Sequence, residues 1–260
     1  MPGEQQSDSV QRDLDGPPRD TVRLPRGGGE GLLVAALDVL GRILGTSGQE
    51  PWSPERFRVR GELEVAALRA WADREALWVN PVDLGTFRRG RREHDLFRRS
   101  DHLTIVFKIT RGAGFGLVPT PIDVVSGMIS DWFGVLPAVP SQYFERLLLS
   151  NQLYPGLNSL EGFCEWEGRF CIITSQPFIA GRNATSLEIA AFMKSRGFTR
   201  LCEATWYRPD DDLAVFDVGG SNLFVGESGD LVPIDVIPMV ATGNLLETLH
   251  RALNQIRPSV

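Results

Sequence analysis

Residues 216–236 read FDVGGSNLFVGESGDLVPIDV. Asp217, Asn222 and Asp235 each border an apolar run, five and then thirteen residues apart. A carboxylate at the edge of a buried strand is costly unless a cation, a metal or hydrogen bonds compensate it. Asp217 with Gly219 and Gly220 is also the composition of a turn. Asp235 is harder to read that way, because Val232 and Ile234 precede it on a strand expected to be buried.

Upstream, residues 91–110, RREHDLFRRSDHLTIVFKIT, predict two strands joined by a polar turn at Arg99–Asp101. By the period of two, Leu103, Ile105, Phe107 and Ile109 share one face, and Thr104, Val106 and Lys108 share the other. A lysine inside an apolar strand is the second anomaly. RGAGFG (111–116) reads as a flexible loop, and SQYFERLLLSNQLY (141–154) as an amphipathic helix capped by Ser141. RFCIITSQPFIAGR (169–182) is a buried strand broken at Gln176–Pro177. TSLEIAAFMKSRGF (185–198) is a helix with a Thr185–Glu188 capping box and a Gly197 stop. Three short strands follow, LAVF, NLFV and LVPIDV, and then a polar or helical tail.

Before this region, Leu32 to Leu44 has helical spacing and ends at GTSG, and a second helix is predicted from Glu62 to about Leu77. Residues 1–28 are polar and rich in Pro and Gly, the composition of a disordered segment. The order of elements gives an α+β protein, plausible as two lobes.

The chain has 260 residues, 42% hydrophobic, with a net charge of −6. That balance argues against non-specific binding to nucleic acid or to an anionic membrane. Three cysteines without CxxC spacing read as reduced thiols of a cytoplasmic protein, and the three histidines lack zinc-ligand spacing with them. The start shows no secretory signal, and GLLVAALDVLGRILG (31–45) is too short and too charged to span a bilayer.

Two carboxylates, an amide and a strand-borne lysine are the side chains that phosphoryl transfer needs. With GRREHDLF, VFKIT, YFERLLLSNQLY, TSQPFIAGR, WYRPDD, DVGGSN and LVPIDV in this order, residues 90–237 resemble the protein-kinase-like superfamily. The closest resemblance is to the serine/threonine/tyrosine kinase-like domain of phage and mobile-element polyvalent proteins. It implies a compact two-lobed kinase-like fold: a first lobe over 86–175, a hinge at 176–181 and a reduced second lobe over 182–260. Residues 29–85 are then a helical extension, packed on its own domain or offered to a protein partner.

The resemblance further implies ATP and magnesium as cofactors and a protein or small-molecule hydroxyl as acceptor. Lys108 is the implied phosphate-binding lysine, with Val106 beside adenine. Glu145 is the candidate ion-pair partner of Lys108, although Glu93 and Glu161 are also within reach. Gly90 and Glu93 stand in a modified glycine loop, and Gln176 and Phe178 at a hinge whose backbone meets adenine. Asp217 is the implied catalytic-loop aspartate, which orients or deprotonates the acceptor hydroxyl, and Asn222 and Asp235 the metal ligands. The chain departs from the pattern in three places. No His-Pro-Gly lies between Asp217 and Asn222, no His-Arg precedes Asp217, and IDV replaces DFG. A non-catalytic nucleotide-binding or interaction module is the alternative.

Overall fold

The computed structural model describes residues 29–44, 53–90, 93–111, 114–121 and 132–256. The reading of residues 1–28 as disordered, and the GTSG stop, lie outside them. The description opens with two helices, α1 (Gly29–Leu44) and α2 (Pro54–Glu75). α2 begins eight residues before the expected Glu62. The Ser53 hydroxyl accepts the Arg56 N–H at 3.3 Å. Pro54 opens the first turn, and Ala76 closes the helix in the left-handed conformation. These first turns are polar and largely exposed, so no apolar stripe announces them.

A five-stranded antiparallel sheet follows. It is built from β1 (Thr86–Arg88), β2 (His94–Arg98), β3 (Ile105–Thr110), β6 (Ser159–Trp166) and β7 (Arg169–Pro177), in the order β1-β2-β3-β7-β6. Between β3 and β6 come a hairpin of β4 (Leu117–Pro121) and β5 (Phe133–Pro137), then α3 (Pro140–Leu153). The hairpin is not legible in the sequence, because its prolines fit only an edge pair. Ser141 does not cap α3. The cap is Val139, whose N–H donates to Gln142 Oε1 at 3.0 Å. Ser141 lies inside the first turn, and its hydroxyl donates to Glu64 at 2.8 Å.

The rest of the chain is β8 (Gly181–Asn183), α4 (Ser186–Ser195), β9 (Thr199–Cys202), β10 (Thr205–Arg208), β11 (Leu213–Phe216), β12 (Leu223–Gly226), β13 (Leu231–Pro233), β14 (Ile237–Val240) and α5 (Gly243–Ile256). Two more antiparallel sheets result, β14-β11-β10-β9 and β13-β12-β8. The Thr185–Glu188 box forms as expected, with the Thr185 N–H on Glu188 at 2.8 Å. LVPIDV is not one strand. It pairs with β12 as far as Pro233, breaks across residues 234–236, and resumes beside β11 at Ile237.

One core joins Leu33 and Leu40 of α1, Leu68 and Trp71 of α2, Phe144 of α3 and Phe163 of β6. The two N-terminal helices thus pack on the sheet-bearing part of the molecule. The segment after α2 also extends that sheet: the Phe163 N–H donates to the Leu77 carbonyl and the Val79 N–H to the Phe163 carbonyl, both at 2.9 Å. This covers the β6 edge, which would otherwise offer unpaired backbone. On the other face, Phe97, Phe107, Ile109, Cys164, Cys171 and Ile173 form a smaller cluster.

Candidate nucleotide site

The register of two ladders answers the question raised by residues 216–236. Phe216 pairs with Ile237 and Leu223 with Pro233, so Asp217, Asn222 and Asp235 leave their strands at one end. The Ile234 N–H donates to the Asn222 carbonyl at 2.8 Å and carries the β12–β13 ladder one residue further. Asp217 has a positive φ, a left-handed conformation that Asp tolerates better than most residues. Its carbonyl accepts the Gly219 N–H at 3.1 Å and the Asn222 side-chain NH₂ at 2.8 Å. The turn reading of Asp217 therefore holds, and the same turn brings the residue to the cleft described next.

Opposite these three lies β3. Its period of two puts Phe107 and Ile109 in the apolar cluster and turns Val106 and Lys108 toward a cleft of about 890 Å³. Nine residues singled out in the sequence line this cleft: Gly90, Glu93, Val106, Lys108, Gln176, Phe178, Asp217, Asn222 and Asp235. Lys108 is 8% exposed, donates to the Ile234 carbonyl at 3.1 Å, and stands 3.6 Å from Asp235 Oδ1. Gly90 lines the cleft, and its N–H donates to buried Asp95 at 3.2 Å. A Cβ there would collide with the His94 carbonyl, so only glycine fits.

Two expectations fail in detail. Glu145 does not pair with Lys108, because it is on the exposed side of α3 beside Arg60 and Glu64. Glu161 does not either, since it accepts the Ser175 hydroxyl at 2.5 Å. At the segment expected to be a hinge, the Phe178 N–H already donates to the Thr104 carbonyl at 2.7 Å and is not free for a base. Ile179 also lines the cleft. Gln176 lines the cleft with its side-chain oxygen buried and without a partner among the described residues.

The residue that sequence reasoning missed is Arg146. Buried at 6% exposure, its guanidinium reaches Glu93 at 2.5 Å, Asp235 Oδ1 at 3.2 Å and the Val236 carbonyl at 3.2 Å. The signal was present, since Tyr143, Arg146, Leu147 and Ser150 share the helical face that packs inward. Burial pushes the Asp235 carboxyl up, but Lys108 and Arg146 outweigh it and hold Asp235 well below the usual carboxylate range. For Glu93, burial prevails over Arg146 and raises its pKa. His94 packs beneath this cluster with Nε2 2.9 Å from the Tyr143 hydroxyl. Burial and the nearby Lys108 charge lower its pKa to about 3, so the ring is neutral.

A lysine, two carboxylates and an amide around one cleft form a donor set suited to a phosphate chain and its cation. Residues 135–242 match the family model described as the serine/threonine/tyrosine kinase found in polyvalent proteins. That match supports the family resemblance read in the sequence, over a segment running from β5 through β14. It takes in Gln176, Phe178, Asp217, Asn222 and Asp235, whereas Gly90, Glu93, Val106 and Lys108 precede it. No curated protein and no solved structure matches the chain. Among the described residues, no helix is long and apolar enough to cross a membrane.

Proposed function

We propose that this chain is an ATP- and magnesium-dependent phosphotransferase with a two-lobed kinase-like fold. The β1-β2-β3-β7-β6 sheet forms the first lobe, the segment from Gln176 to Gly181 the hinge, and the two smaller sheets the reduced second lobe. The observation that carries the reading is convergence: residues scattered from Gly90 to Asp235 line one cleft, with Lys108 and Asp235 3.6 Å apart within it. The matched family's name favours a protein side-chain hydroxyl as acceptor, and a small-molecule hydroxyl fits the same chemistry.

The donor set suits magnesium, which takes hard oxygen ligands and keeps several sites for phosphate and water. Asp235 offers a carboxylate. Asn222 offers its amide oxygen, because its NH₂ is tied to the Asp217 carbonyl. No group of three or more His, Cys, Asp or Glu side chains able to hold a metal occurs among the described residues, so phosphate oxygens would complete the shell. Magnesium, when bound, supplies charge neutralisation across the phosphates. Lys108 adds a fixed positive charge on the same side, and Val106 an apolar wall for the base. Asp217, exposed at the mouth, orients the acceptor hydroxyl and takes its proton.

A nucleotide-binding module without turnover is favoured by one observation, the engagement of Asp235 by two cations of the chain itself. Thermal shift with ATP, with and without magnesium, followed by measurement of ADP release, tests both readings. The phosphotransferase raises its melting temperature with ATP, raises it further with magnesium, and releases ADP. Stabilisation without ADP release selects the second reading, and no stabilisation at all removes both.

A further inference from the structure

Asp235 meets two positive charges of its own chain, and they come from different elements. Lys108 is fixed on β3, inside the sheet. Arg146 belongs to α3, and its planar fork holds Glu93 through Nη1 and Asp235 through Nη2. Each arm of a guanidinium makes its own hydrogen bond, so one can open while the other stays closed. Glu93 makes such an opening tolerable. A buried guanidinium stripped of every carboxylate would be strongly destabilised, whereas one that keeps Glu93 is not. Around the fork, His94 is neutral and Tyr143 uncharged, so among the described residues the charges facing it are Glu93 and Asp235, which it binds, and Lys108, which shares Asp235 with it.

We propose that Arg146 is a tethered cation that competes with a divalent metal for Asp235. Metal enters when Arg146 releases Asp235 and falls back on Glu93. The role assigned to the metal rests on the nucleotide reading above, but the competition itself does not need a nucleotide. The arrangement gives two substitutions opposite signs. Arg146→Gln removes the competitor and tightens metal binding. Glu93→Gln removes the fallback, leaves Asp235 as the only carboxylate for Arg146, and weakens metal binding.

The test is a titration of the full chain with Mn²⁺ alone, read by calorimetry, on folded protein verified by circular dichroism. Arg146→Gln is expected to bind Mn²⁺ about tenfold tighter than the unaltered chain, or more, the scale of one charge-assisted hydrogen bond. Glu93→Gln is expected to bind it more weakly. If Arg146→Gln fails to fold, the Glu93→Gln, Arg146→Gln pair removes both buried charges together and is read in its place, with the same tightening expected. An unchanged or weaker Mn²⁺ affinity without Arg146, or no binding in any variant, overturns the proposal. A structural role for Arg146 lowers stability and leaves Mn²⁺ affinity alone. A second titration with ATP, with and without magnesium, separates the two readings. Absence of ATP binding in every protein counts against the nucleotide site, while the Mn²⁺ series still decides the competition.

Discussion

Asp217 and Asp235 differ in what holds them. Asp235 is clamped by Lys108 and Arg146, and Asp217 is exposed at a left-handed turn. Asp235→Ala and Lys108→Ala should therefore weaken magnesium-dependent ATP binding and abolish transfer together. Asp217→Asn keeps a residue that tolerates the left-handed backbone found there. It should leave ATP affinity nearly unchanged and slow transfer by about 100-fold, the scale of a positioned base. ATP affinity and transfer measured on the same three variants check this. His94 supplies a pH signature. Its pKa falls from 6.5 to about 3 on folding, so the unfolded chain binds the extra proton between those values. Stability from this group is complete above about pH 6.5 and is lost on acidification, by up to about 1.4 kcal/mol per pH unit. Glu93, with its raised pKa, opposes the trend, so the quantity to measure is the difference between the unaltered chain and His94→Gln in urea melts from pH 7 to 5. A flat difference would show that His94 is not buried as a neutral ring.

The elements legible in the sequence carry their own punctuation. α4 announces itself by the Thr185–Glu188 box, and β3 by its alternation. β6 does not, because Gly162, with a positive φ, sits at a shift in its register with β7 and breaks the period. α3 is legible as a helix but not as a site. Its capping is shared with α2, a long-range contact that no local pattern encodes. Glu64 of α2 is fully buried and accepts the Ser141 N–H at 2.8 Å, the Ser141 hydroxyl at 2.8 Å and Arg60 Nε at 2.7 Å. A carboxylate at this end also meets the positive end of the α3 dipole. Glu64→Ala should cost about 2–3 kcal/mol by leaving these donors buried and unpaired. Arg60→Ala, at a half-exposed position, should cost less than about 1 kcal/mol. Equilibrium urea denaturation of the two variants measures the gap, and equal losses would mean that Glu64 is not the anchor of α3.

At the scale of the molecule, the identities of the cleft residues can be read in the sequence, but their meeting cannot. Lys108 stands 127 positions before Asp235, on a strand of one sheet, while Asp235 lies between strands of two others, and only the packing of these sheets brings the two to 3.6 Å. The same dependence on distant pairing explains why residues 29–85 could not be placed from their periodicity alone. Their apolar stripe shows that they are buried, without saying against what. Because Leu33, Leu40, Leu68 and Trp71 share a core with α3 and β6, a fragment starting at residue 81 should aggregate or fail to melt cooperatively. A soluble fragment with a sharp thermal transition would contradict that. The crossing at residues 234–236 has a consequence of another kind. Three residues are the whole length of chain between the end of β13 and the start of β14, and the acid stands in their middle. A strand slipped by one residue turns every side chain to the opposite face, so β14 cannot absorb an extra residue there. The crossing works as a ruler, on which the number of residues sets where the acid stands.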